Sequence, residues 1–144
     1  MEIKWHNFGL INRAMCSRKW LFTFVLVLVV QGVWAQADIF APMKDAVKAG
    51  SAKELAKYFN QSVDINLEGE VNTYSKAQGE FVMRDFFKKF PVSDFTIEHT
   101  GSSKSGLQYA IGNFKSASDQ FNVLMRVKQS GNTYLIHEIS FVKE

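Results

Sequence analysis

Cysteine is nearly missing: the 144 residues hold one, Cys16, and it lies in the first 37. A chain beginning after that stretch could form no disulfide, use no thiol nucleophile and offer no thiolate to a metal. Stability must then come from an apolar core. Proline is also scarce, with only Pro42 and Pro91 as punctuation. Glycine-rich phosphate loops are absent, as are H-E-x-x-H, G-x-S-x-G and C-x-x-C, which argues against nucleotide enzymes and hydrolases of standard type. Net charge is lacking where it would count. The formal +3 belongs to residues 1–37, where Lys4, Arg13, Arg18 and Lys19 face Glu2. Residues 38–144 have as many Asp and Glu as Lys and Arg. The basic pI of about 9.0 is therefore no sign of a nucleic-acid partner, and none is expected.

What is present begins with an export pattern. Arg18 and Lys19 precede the apolar run Trp20 to Val30; Gln31 and Gly32 break it, and Val33 to Ala37 supply small residues in cleavage positions. That order predicts a signal peptide over 1–37, cut near Ala35 or Ala37. The run is too short to span a bilayer, which needs about twenty apolar residues. Membrane contact is thus expected only through the signal peptide before cleavage. Cys16 precedes the apolar run, whereas a lipid-anchoring cysteine would follow it. Met15 would begin a more ordinary signal than Met1.

Residues 38–144 read as one domain. Asp38 is a fair cap for a helix over Ile39 to Ala49, with Gly50 as its stop. Ser51 and Glu54 have capping-box spacing for a second helix running to Phe59. Val63 to Glu68 alternates apolar and polar, the mark of a half-buried strand, and 69–74 reads as a loop. Ser75 and Gln78 give another capping box ahead of a long helix ended by Pro91. Its apolar residues, Ala77, Phe81, Val82, Met83, Phe86, Phe87 and Phe90, cover more than one stripe, so contact on two sides is expected. Four strands at hairpin spacing follow. They put Phe95, Ile97 and His99 inward, then Leu107, Tyr109 and Ile111, with a bulge at Gly112-Asn113. Phe121, Val123, Met125 and Val127 come next, then Leu135, His137, Ile139 and Phe141. About five strands and three helices make an α+β fold: N-terminal helices and one long helix packed on a curved, mostly antiparallel sheet.

Candidate chemistry is sparse. His99 and His137 fall in phase with apolar neighbours, so each is expected to face the helices as an acid, base or ligand-orienting group; a core imidazole with satisfied nitrogens is the ordinary alternative. Two histidines without a third ligand make no metal site, and no cofactor is expected. Asp85 on the long helix would be a raised-pKa base if it faced an apolar cavity, and a solvated partner of Lys88 or Lys89 otherwise. Tyr58, Tyr74, Phe86, Tyr109 and His137 are the candidate lining of a cavity between helices and sheet. Phe81, Phe87, Phe90 and Phe95 would suit an apolar ligand or a solid core equally.

Thr73 to Gln78, Asp85-Phe86-Phe87, Gly101-Ser102-Ser103, Tyr109 to Gly112 and Tyr134 to His137 resemble a family of exported bacterial proteins carrying a domain of unknown function. The element order resembles the cystatin-like folds, with nuclear transport factor 2 as prototype. The resemblance implies a cone-like fold, often dimeric, with a helix–sheet cavity, and it brings no catalytic residues. The expectation is a non-catalytic binding or interaction module in the periplasm or medium of a Gram-negative bacterium. Its partner would be a small apolar ligand or a protein, with a homodimer through Leu124, Tyr134 and Ile136 of the outer sheet face also expected. The alternative is a pocket enzyme doing isomerase-like acid–base chemistry.

Overall fold

The computed structural model describes residues 38–144; the expected signal peptide lies outside them. Helix α1 (Ala41–Lys48) begins where Asp38 Oδ1 accepts a hydrogen bond from Phe40 N at 3.0 Å, and Pro42 occupies the first turn. Gly50, at φ 64, turns the chain into α2 (Ala52–Ala56). Ser51 Oγ caps α2 through Glu54 N, but the expected box is half made, because the Glu54 carboxylate takes the Lys57 ammonium at 2.7 Å. The second helix stops at Ala56, earlier than the apolar pattern to Phe59 suggests, because the chain passes into the sheet there. Tyr58 O accepts from Ile136 N, and Phe59 opens strand β1 (Phe59–Leu67).

Residues 69–74 are not a loop. Glu68 (φ 55) and Gly69 (φ 98) form a two-residue hairpin turn of the kind that needs positive φ at both central positions, and β2 (Glu70–Ser75) runs back along β1. This strand was hidden because it is an exposed edge with little to bury; Val71 is 61% exposed. Helix α3 (Lys76–Lys89) then starts with the complete Ser75–Gln78 capping box. Strands β3 (Val92–Ser102), β4 (Leu107–Ser116), β5 (Gln120–Ser130) and β6 (Thr133–Lys143) complete an α+β fold. The sheet order is β2-β1-β6-β5-β4-β3, and only β1 and β6 pair in parallel.

The helices cover one face. Gly79 sits where an added Cβ would lie 3.1 Å from Phe59 and Val63, so α3 approaches β1 closely because that residue has no side chain. Further along α3, Phe86 meets Phe141 at 4.7 Å between ring centres, Phe90 at 5.2 Å, Phe121 at 5.4 Å, Phe114 at 5.7 Å and Phe87 at 6.0 Å. Tilted and edge-on pairs of this kind stabilise beyond their buried area.

Three strand phases differ from expectation, for local reasons. Ile97 pairs with Gly112 and His99 with Ile111, so Glu98 is an extra residue on β3 and the bulge is there, not at Gly112. His99 is consequently exposed on the outer face. On β4 the inward residues are Ala110, Gly112 and Phe114, while Tyr109 and Ile111 face outward. On β6, Arg126 pairs with Glu138 and Val127 with Ile136, which makes His137 the extra residue. Ile136 is buried and Tyr134 packs on the core, so neither belongs to the outer face.

Candidate functional site

Among the described residues the expected lining, Tyr58, Tyr74, Phe86, Tyr109 and His137, is dispersed over different parts of the fold. Phe86, a candidate lining residue, is packed among the other rings, and Phe87, Phe90 and Phe95 are buried with it. Phe81 is 59% exposed, with the Arg84 guanidinium 5.0 Å above its ring. Tyr109 lies on the outer face over Gly101, where an added Cβ would fall 2.5 Å from the Tyr109 ring. His137 is half-buried, and its Nδ1 lies 3.4 Å from Asn60 Nδ2. Asp85 is exposed and forms no ion pair among the described residues; the pairing on its helix is Arg84 to Glu80 at 2.6 Å. Tyr74 is half-buried against the core beside Val63. Tyr58 lines a different recess of about 290 Å³ with Ile39, Met43, Tyr134 and Leu135. Asp85, His99 and His137 thus do not come together.

Among the described residues a surface groove of about 750 Å³ lies on the helix side, and the sequence pattern did not single it out. Lys53 and Ala56 of α2, with Lys57 just past its end, form one wall, Gln61 of β1 the end, and Ser75, Lys76, Ala77 and Glu80 the other wall. It lies where the first turn of α3 carries Ala77 and Gly79, whereas the C-terminal half carries Phe86 and Phe87. Lys76 Nζ reaches Lys57 O at 3.4 Å across it. The Lys57 ammonium titrates above the ordinary lysine value, chiefly through its hydrogen bond to Glu54 and then through that carboxylate's charge. A smaller recess of about 340 Å³ adjoins it through Lys53 and is also lined by Arg84, Phe87 and Lys88. The spacing of Lys53 with Lys57, and of Lys76 with Arg84 and Lys88, was the available signal, since residues four apart share a helix face. Among the described residues no cluster of three metal-ligating side chains occurs.

The model of a family described as a domain of unknown function, DUF4783, matches residues 40–142. The crystal structure of a DUF4783 protein from Bacteroides ovatus is 32% identical, covers 72% of this chain and 94% of its own, and superposes with a TM-score of 0.69. A Nostoc punctiforme domain of unknown function with a cystatin-like fold shares 17% identity over 72% of this chain and 71% of its own, at a TM-score of 0.57. An NTF2-like protein of unknown function from Shewanella baltica shares 7% over 87% and 96%, also at 0.57. These last two speak for the fold alone. A comparison with curated proteins finds no match.

Proposed function

The chain belongs to the DUF4783 family, described as a domain of unknown function; we propose that it is a non-catalytic binding or interaction module, exported by its first 37 residues and presenting the groove between α2, α3 and β1 to its partner. One observation carries the reading. Phe86 is ringed by five other phenylalanines between α3 and the sheet, the space where the family resemblance implies a cavity. A filled interior leaves surface recognition as the economical use of the fold. An acid–base enzyme needs its groups within hydrogen-bond reach of one substrate, and exposed Asp85, outer-face His99 and bulge-held His137 lack a common cavity.

Native mass spectrometry of the protein purified from its own cell envelope tests this. The expected spectrum carries no small molecule; a co-purifying compound whose mass changes on incubation overturns the reading. N-terminal sequencing of the same material is expected to begin near Asp38. An intact Met1 or Met15 terminus on exported protein defeats the cleavage proposal.

A second copy of the chain is the partner that one further observation favours. Ile111 (39% exposed) pairs with half-buried Leu124 across β4 and β5 on the outer face, and Val142 (41% exposed) lies on the adjoining β6, opposite Asn122. Light scattering after size exclusion should then find a dimer at micromolar concentration, and a strict monomer removes this partner.

A further inference from the structure

Helix periodicity places Lys76, Glu80, Arg84 and Lys88 in one line along α3, about 18 Å from first to last at 1.5 Å per residue. Lys53 of α2 and Lys57 just past its end form the facing line, and Lys53 lines both the groove and the adjoining recess. The two concavities adjoin at Lys53 and together make a basic track. Its five cations face two carboxylates, each already engaged: Glu54 with Lys57 and Glu80 with Arg84. Lys53, Lys76 and Lys88 form no ion pair among the described residues. Residues 38–144 carry no formal net charge, so this positive excess is local and is balanced elsewhere. Asp64 and Glu138 lie side by side on β1 and β6, with Glu68 and Glu70 at the β1–β2 turn. An anionic partner is drawn to the helix side.

The lining narrows the kind of anion. Ala56, Gln61, Ser75 and Ala77 make a small-residue, polar floor, and Phe87, the aromatic that lines the recess, is buried in the core, so the track lacks the exposed platform on which single-stranded nucleic acids stack their bases. The one guanidinium, Arg84, is committed to Glu80, so the planar fork that suits phosphate and sulfate is not on offer. Lysine ammoniums are compact point charges that match carboxylates on a flexible chain. We infer that the α2–α3 track holds an acidic polypeptide segment of a partner protein. At about 3.3 Å per extended residue, 18 Å accommodates roughly five or six residues. The inference rests on the proposed reading of the groove as the recognition surface and supplies its partner class.

The test is fluorescence anisotropy of a labelled hexaglutamate peptide, with amide shifts of the isotope-labelled protein mapping where it sits. The protein is used as its own cells produce it. Binding should weaken as sodium chloride rises through the physiological range. The double variant Lys53→Glu with Lys76→Glu should bind about tenfold more weakly or not at all, and Lys53→Gln with Lys76→Gln should fall between. Lys104→Glu with Lys128→Glu, the same charge change away from the track, should bind as the parent does. Equal losses in the two charge-reversal variants would reduce the effect to bulk charge and overturn the inference. So would hexaglutamate failing while dextran sulfate or anionic vesicles bind at the track, although the groove reading would survive that result. If none of these probes moves a groove amide, both fail. Unchanged circular dichroism of the glutamine variant keeps a folding defect from imitating the expected loss.

Discussion

The two halves of α3 rest on the same sheet, and they do opposite things. From Met83 to Phe90 the helix buries large side chains against Phe114, Phe121 and Phe141, and the rings leave each other no room. From Lys76 to Glu80 it carries Ala77 and Gly79, approaches β1 through the bare Gly79 backbone, and leaves an open groove toward α2. One continuous helix therefore anchors the fold at one end and offers a surface at the other. The difference is side-chain volume on a shared axis. It teaches that a long amphipathic helix over a sheet need not enclose a cavity, because the enclosure depends on which turns are bulky.

The largest expected break of this contrast is Phe86→Ala. It removes the ring at the centre of the cluster, and a truncation of this kind costs about 3–5 kcal/mol, read from urea denaturation at unchanged m-value. A loss under about 1 kcal/mol would mean that the packed half is not the anchor. Next comes Gly112→Ala. Its Cβ would fall against the Thr96 carbonyl oxygen, so β3 and β4 must separate, at about 1–3 kcal/mol of overpacking cost in the same measurement. Ser75→Ala probes the open half, where loss of the cap to Gln78 N should cost about 1 kcal/mol while leaving the phenylalanine cluster's near-ultraviolet dichroism intact.

The smallest effect is electrostatic and lies beyond both halves. The Lys143 ammonium, then Ser118, hydrogen-bonds the Asp119 carboxylate and holds its pKa below the usual carboxylate value. A depressed folded pKa gives stability that is present above the unfolded pKa and lost as pH falls through the folded one. The thermal midpoint of the parent should thus approach that of Asp119→Asn on acidification. A gap between them that widens in acid would contradict the pairing.

Much of this architecture was legible along the chain. The capping box at Ser75–Gln78, the Pro91 stop and the β5 alternation from Phe121 to Val127 are local patterns, and each emerged as read. What stayed hidden was set by strand neighbours. The bulges at Glu98 and His137 exist in the pairing of two strands, and one extra residue in a period-two element moves every side chain beyond it to the other face. His99 was lost as an inward candidate for that reason, and Ile136 exchanged places with the phase assigned to Leu135. Edge strand β2 escaped because it buries almost nothing.

By itself the sequence determined the class of fold and an interior built on phenylalanine without disulfides, because composition, capping and periodicity are properties of contiguous residues. Only the tertiary structure decided that the phenylalanines fill the space beneath α3, that the histidines stay apart, and that lysines from two helices separated in sequence line one groove. Those outcomes depend on how closely elements approach and in what register. Gly79, Gly112 and the extra residues at Glu98 and His137 set both.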